Sequence, residues 1–224
     1  MNCITKESIE FLKNVKQNNS KTWYEDHKDD YDKYVINPMK EIVMALQDDM
    51  REIDRSFVLE PFVGKTISRL HRDTRFSKDK SLYKDKVWIT FKKRFEDNID
   101  YPAYFIEVSP YRYRYGMGFF RASVSSMELY REQIKESEKT SLKIINTIES
   151  EKRFDIEGEM YKKNRYNGKY PDIAKWYNRK NIYIAYNSSD VEELYHSEFI
   201  SYVKKDFCVL SELYNFFKES LETK

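Results

Sequence analysis

Little in this chain marks a break. Five glycines and five prolines in 224 residues leave few turn signals, so long linkers are not expected. There is no internal repeat and no low-complexity segment. The two cysteines, Cys3 and Cys208, lack CxxC spacing, which excludes a disulfide framework and a zinc ribbon. His27, His71 and His196 lie far apart, and none forms HxxxH, so no metal-ligand spacing is present. No Gly-rich phosphate loop occurs, and no Ser-His-Asp or Cys-His arrangement can be assembled. No apolar run approaches a membrane span. The opening MNCITKESIEFLKNV has no apolar stretch of the signal-peptide kind. The expectation is a reduced, cytoplasmic protein with no membrane partner, no metal and no cofactor.

Rings and charge are abundant. With 19 Tyr and 14 Phe, much of the core must be aromatic, and many phenols need partners. Net charge is only +2, yet Lys65 to Arg94 holds eleven basic residues against three acidic ones. A second basic stretch, Lys152 to Lys180, has nine against four. The remaining chain is correspondingly acidic, which opposes binding of a long polyanion. Any nucleic-acid binding is expected to be weak and non-specific.

Periodicity orders the elements. Ile9, Leu12 and Val15 share a helical face that stops at Asn18-Asn19. Ser20 caps a second helix carrying Trp23, His27, Tyr31 and Tyr34, and Asn37-Pro38 interrupts it. Met39, Ile42, Val43, Leu46, Met50 and Ile53 mark a third helix. Alternation then predicts strands near 65–71, 86–94, 103–109, 112–120 and 181–187, with Tyr111, Tyr113 and Tyr115 on one face of the fourth. Gly116 and Gly118 read as a bulge or turn. Ser125 with Glu128 opens a helix to about Ile148, and Ser189 with Glu192 forms another capping box. Leu210, Leu213, Tyr214, Phe217 and Leu221 form the apolar face of the last helix, near which Cys208 is expected in the core. The fold class is α+β, an antiparallel sheet of about five strands with helices mainly on one face. One domain is expected over 1–224: helical over about 5–54, sheet-rich over about 62–120, mixed over about 125–222.

The densest chemistry is RLHRDTRFSKDKSLYK, Arg69 to Lys84. If Gly64 to His71 is extended, Ile67, Arg69 and His71 share a face, and Arg72, Asp73 and Arg75 lie where a strand enters a loop. Arginine offers a planar fork of permanent donors that suits phosphate or carboxylate. Asp73 and Asp79 can orient those cations, or equally pair with them and pin the loop. The HRD tripeptide lacks the kinase loop's asparagine, Lys78 standing in its place. His27 reads as part of a solvated acidic helix face. The YRYRYG run reads as one buried Tyr face and one solvated Arg face; a base-stacking platform is the alternative.

Arg69, Arg72, Asp73, Arg75, Phe76, Asp79, Lys80 and Tyr83, spaced R-x-x-R-D-x-R-F-x-x-D-K-x-x-Y, resemble the signature of the bacterial domain of unknown function 2461 family. The likeness extends to IEFLKNVKQNNSKTWYEDHKDDY, YFIEVSP and YPDIAKWYNRKNIYI, nearly the whole chain. Leu82 departs from the pattern, since family members often have proline there. The resemblance implies a shared α+β fold and no known activity, and it favours a site over a strut.

The leading expectation is binding of an anionic ligand, phosphate- or carboxylate-bearing. Arg69, Arg72, Arg75 and Lys80 would contact the anion, and Asp73 and Asp79 would orient them. Tyr83 would donate a hydrogen bond, and Phe76 would pack beneath the loop. An enzyme acting on a phosphoester is the alternative, with Asp73 or His71 as acid/base group. In a third reading the motif is an ion-pair network that only holds the fold.

Overall fold

The N-terminal helices form where apolar residues recur three and four apart. In the computed structural model, which describes residues 4–75, 78–94, 100–119 and 122–222, α1 (Lys6–Gln17) buries Ile9, Leu12 and Val15 and ends at Asn18. At its start the Thr5 N–H donates to Ser8 Oγ at 3.1 Å. Ser20 caps α2 (Lys21–Asp26) by accepting from the Trp23 N–H at 3.3 Å. Next come α3 (Lys28–Tyr31), a π-helical turn over Asp32–Ile36, and α4 (Asn37–Ile53). The expected interruption at Asn37-Pro38 does not occur. The wide turn carries the Asn37 N–H to the Asp32 carbonyl, and Asn37 stays helical at φ −62°, ψ −45°. Proline lacks an N–H, and an i→i−5 turn just before it lets the helix continue through. Met39, Ile42, Val43, Leu46 and Met50 are all buried along α4. Burial of each is worth about 1.5–3 kcal/mol before conformational entropy is subtracted.

The strands are β1 (Val87–Phe91), β2 (Ala103–Val108), β3 (Tyr113–Gly118), β4 (Asp155–Glu157) and β5 (Tyr183–Ser188). They form one antiparallel sheet in the order β1-β2-β3-β5-β4. β1 and β2 bury every second residue, as the alternation requires. In β3, Tyr113 and Tyr115 are buried, but Tyr111 stands 57% exposed in the preceding turn. Gly116 and Gly118 are strand residues rather than a turn. Both lie inside β3, where a Cβ on Gly116 would sit 1.9 Å from the Ile184 carbonyl oxygen, and one on Gly118 2.3 Å from the Tyr183 Cα. β4 escaped the sequence reading because three residues are too few to show alternation.

The segment expected as a strand over 65–71 is not a regular one. It runs antiparallel beside the chain at 82–90 through isolated bridges, Ile67 to Ile89 and His71 to Tyr83. Its ladder bonds are Ser68 N–H to Trp88, Thr90 N–H to Thr66, Arg72 N–H to Leu82 and Lys84 N–H to Leu70 carbonyls. Ile67 and Leu70 are both buried, three residues apart, so the face alternation slips between them. Arg69 and His71 are exposed, whereas Ile67 is buried.

The remaining helices are α5 (Val124–Glu136), α6 (Glu138–Ser150), α7 (Ala174–Tyr177), α8 (Phe199–Val209) and α9 (Ser211–Glu222). Ser123, not Ser125, caps α5, accepting from Ser126 N–H at 3.1 Å. The helix expected to reach Ile148 is two, broken where Ser137 adopts φ −129°, ψ 43°. Asp190, not Ser189, caps the 3-10 turn over Val191–Tyr195. Aspartate and the neighbouring serines cap interchangeably, so composition alone does not choose among them. α9 buries Leu213, Tyr214, Phe217 and Leu221. Cys208 is exposed rather than in the core, and Cys3 lies outside the described residues.

The chain divides into two compact units. One comprises Met1–Phe91, Phe105–Arg114 and Ser188–Lys204, the other Lys92–Tyr104, Tyr115–Asn187 and Lys205–Lys224. The first has an aliphatic core of Ile9, Leu12, Ile42, Leu46, Ile67 and Ile89. The second is ring-rich, with Tyr104, Phe119, Tyr130, Trp176, Phe207 and Phe217 buried. Tyr130 meets Phe217 edge-on at 5.1 Å, a favoured aromatic geometry. No helix among the described residues is long and apolar enough to cross a membrane.

Candidate functional site

The charged motif lies wholly in the first unit. His71 and Tyr83 face each other across the irregular ribbon. The flanking bonds, Arg72 to Leu82 and Lys84 to Leu70, make them a non-hydrogen-bonded pair, the kind that brings side chains closest. Their rings lie 4.7 Å apart. The N–H and C=O of Tyr83 point away from the ribbon and are taken by one side chain. Asn19 Nδ2 donates to the Tyr83 carbonyl at 2.9 Å, and the Tyr83 N–H donates to Asn19 Oδ1 at 3.1 Å.

The motif's acids have committed partners. Asp73 accepts from Arg75 Nε at 3.0 Å and Nη2 at 2.7 Å, a bidentate pair in water. Those hydrogen bonds hold the Asp73 carboxyl down at about 2. Asp79 accepts from the Ser81 N–H at 2.9 Å and lies 3.1 Å from Arg72 Nη2. Both contacts lower its pKa, the Ser81 bond first. Lys80 Nζ donates to the Thr74 carbonyl at 2.8 Å. Thus Asp73 and Asp79 orient one arginine each.

Two motif arginines retain capacity. Arg69 has no carboxylate within ion-pair distance among the described residues, and its guanidinium lies over Gly64, whose φ of +86° suits glycine. Arg72 is half-buried and uses Nη2 on Asp79, while its Nε is buried with no hydrogen-bond partner among the described residues. Next to it, Lys84 lies 4.2 Å above the Trp88 ring. Burial first, then the charges of Arg72 and Lys86, push the Lys84 ammonium below its ordinary range. Lys86 is partnered by Glu107 at 2.7 Å. Arg72 and Lys84 therefore face each other as like charges.

On the His71–Tyr83 side the surface is concave. A cleft of about 460 Å³ is lined by His71, Leu82 and Tyr83 from the ribbon and by Lys21, Tyr24, Glu25 and Lys28 from the helical segment. Tyr24 stacks on Tyr83 at 4.6 Å and 24° and meets His71 edge-on at 5.5 Å. Burial raises the Tyr24 phenol, with Asp32 and Tyr83 adding to it. No motif arginine lines this cleft. Of the expected site residues, the structure brings His71 and Tyr83 into it. Arg72 with Asp79, and Arg75 with Asp73, form separate pairs, and Phe76 lies outside the described residues. Asp73 is exposed and held by Arg75.

Sequence reading missed Asn19, Lys21, Tyr24 and Lys28. Lys21, Tyr24 and Lys28 follow i, i+3, i+7 spacing, the available signal, but attention to Trp23, His27 and Tyr31 obscured it. His27 is not one of an acidic set; it stacks on Trp23 at 4.3 Å and its Nδ1 lies 2.8 Å from the Trp23 carbonyl. Among the described residues no group of three or more His, Cys, Asp or Glu is placed to hold a metal.

In the second basic stretch, in the other unit, four of the nine basic residues are paired with carboxylates. Arg153 lies 2.7 Å from Asp206 and 3.0 Å from Glu151. Arg165 reaches Glu128, Lys175 reaches Glu149, and Lys180 reaches Glu159.

Comparison with known families places the chain. It belongs to the family described as "Conserved hypothetical protein (DUF2461)", whose model matches residues 7–216, nearly the whole length. No curated protein matches the sequence.

Proposed function

We propose that this is a cytoplasmic protein that binds a phosphate- or carboxylate-bearing small molecule at the Arg72–Lys84 end of the motif. The observation that carries the reading is Arg72, a half-buried guanidinium with an unpartnered buried Nε beside the Lys84 ammonium, which burial first and then the Arg72 charge depress. An anion bound beside the guanidinium would relieve the repulsion and add charge-assisted hydrogen bonds. Arg69 is the second available cation. Asp73 and Asp79 serve as orienting groups, and Lys80 as a loop tie. Long nucleic acids remain poor ligands, because net charge is only +2 and four of the nine basic residues of the other stretch are paired with carboxylates.

Thermal unfolding with phosphate or citrate, against chloride at matched ionic strength, tests this. Saturating anion, at about 100 times its Kd, stabilises by roughly 2.7 kcal/mol. The expectation is a saturable rise for the parent protein and its loss in Arg72→Gln and Lys84→Gln. No saturable shift with either anion, together with severe destabilisation of Arg72→Gln, would make the motif a strut.

A further inference from the structure

We infer that the cleft at His71 and Tyr83 is a second binding site, for a planar aromatic acid: a one- or two-ring body carrying a single carboxylate or similar anion. It is distinct from the anion site at Arg72 and Lys84. Neither Arg72 nor Lys84 lines the cleft. The side-chain contacts agree: His71 meets Tyr24 and Tyr83, whereas Arg72 meets Asp79.

The shape of the cleft sets the size of the ligand. About 460 Å³ lies in the range of small-molecule sites, which bury most of a ligand against apolar and aromatic walls. The floor is Tyr83, buried and already stacked on Tyr24. Above it the His71 ring is exposed, Tyr24 is half-buried, and Leu82 is 45% exposed. An exposed leucine and an exposed imidazole beside a buried ring stack leave apolar and π surface that the chain does not itself cover. A flat ring laid there extends the existing stack, with the offset and edge-on contacts that aromatic groups favour.

The polar side sets the charge. Lys21 and Lys28 line the cleft with Glu25 between them, and Lys21 lies 3.5 Å from Glu25. One lysine is thereby neutralised, and Lys21, Lys28 and Glu25 together leave one net positive charge in the lining. That balance matches a monoanion and disfavours a di- or trianion, which Glu25 repels. Lysine suits this role as a mobile point charge at the mouth, where the acid group stays partly hydrated.

Calorimetric titration with three probes separates the components: indole-3-carboxylate, its neutral carboxamide, and cyclohexanecarboxylate. The expectation is saturable binding of indole-3-carboxylate, at least tenfold tighter than either of the other two. The double variant Lys21→Gln/Lys28→Gln, at exposed positions that leave the core intact, is expected to lose at least fivefold for the acid and nothing for the amide. Leu82→Ala is expected to weaken both indoles together. Arg72→Gln, which removes the proposed phosphate response, is expected to leave indole-3-carboxylate binding unchanged. Absence of saturable binding overturns the proposal. So does equal affinity for the cyclohexane acid. Loss in Arg72→Gln with retention in the lysine double variant also overturns it, since the acid would then sit at the motif arginine.

Discussion

Arg75 and Arg131 each pair with a carboxylate a few residues away, and there the likeness ends. The Arg75 side chain is 77% exposed and that of Arg131 is 2% exposed. Arg75 makes a bidentate bond with Asp73 in water. Arg131 donates from Nη1 to Glu128 at 2.9 Å, from Nε to the Tyr177 carbonyl at 3.2 Å and from Nη2 to the Arg179 carbonyl at 2.6 Å. Arg75 sits in the most charged stretch of the sequence, Arg131 in an unremarkable amphipathic helix. Charge density along the chain thus pointed to the surface, and the arginine that ties backbone together in the second unit was inconspicuous. An exposed ion pair is worth about 0–1 kcal/mol, because water and salt screen it and two side chains must be held still. A buried guanidinium satisfies carbonyls that would otherwise stand unpaired at about 1–3 kcal/mol each.

Three substitutions would break or sharpen this contrast. The largest effect is expected for Arg131→Met. It keeps bulk but strands two carbonyls, and should lower the unfolding free energy by about 3–5 kcal/mol in a urea titration. A loss under about 1 kcal/mol would mean that Arg131 is as idle as a surface arginine.

Asp206 gives the intermediate case. It is fully buried, accepts from the Tyr115 hydroxyl at 2.8 Å and lies 2.7 Å from Arg153. Burial pushes its carboxyl up, against the pull of Tyr115 and Arg153. The folded protein therefore holds this proton more tightly than the unfolded chain. Its contribution to stability is greatest below the ordinary aspartate range, near pH 4, and declines as pH rises through the raised folded value. Asp206→Asn should cost about 1–3 kcal/mol at pH 7. The gap between parent and variant should narrow as pH climbs from about 4 through the raised folded value. A gap that widens over that interval would show Arg153 outweighing burial. The smallest effect is expected for Arg75→Gln, within the error of the same urea titration and vanishing in about 1 M salt. A large, salt-independent loss would promote the exposed pair to a structural one.

Where periodicity carried the argument, the fold was legible. The faces of α1, α4 and α9 and the alternation in β1 and β2 follow from burial of one side of a regular element. Sequence reading failed where a local choice was settled by a neighbour distant in sequence. Pro38 reads as a helix stop, yet a π turn absorbs it. Gly116 reads as a bulge, yet it serves the approach of a strand nearly seventy residues on in the chain. The motif was legible as a concentration of donors, and its internal pairs, Arg75 with Asp73 and Arg72 with Asp79, follow from short spacing. The cleft beside it was not, because its other wall comes from Lys21, Tyr24 and Lys28, some fifty residues earlier. Nothing in a run of residues announces which helix will close over it.

Asn19 joins those two walls, and it does so without reading any side chain. Its amide completes the hydrogen bonds of the Tyr83 peptide as a neighbouring strand would. A joint made only to backbone is indifferent to what stands at position 83 or at its rim. The side chains that line the cleft are therefore open to change while the joint between helix and ribbon keeps its geometry. In evolutionary terms, the lining of the cleft is separable from the fastening that shapes it.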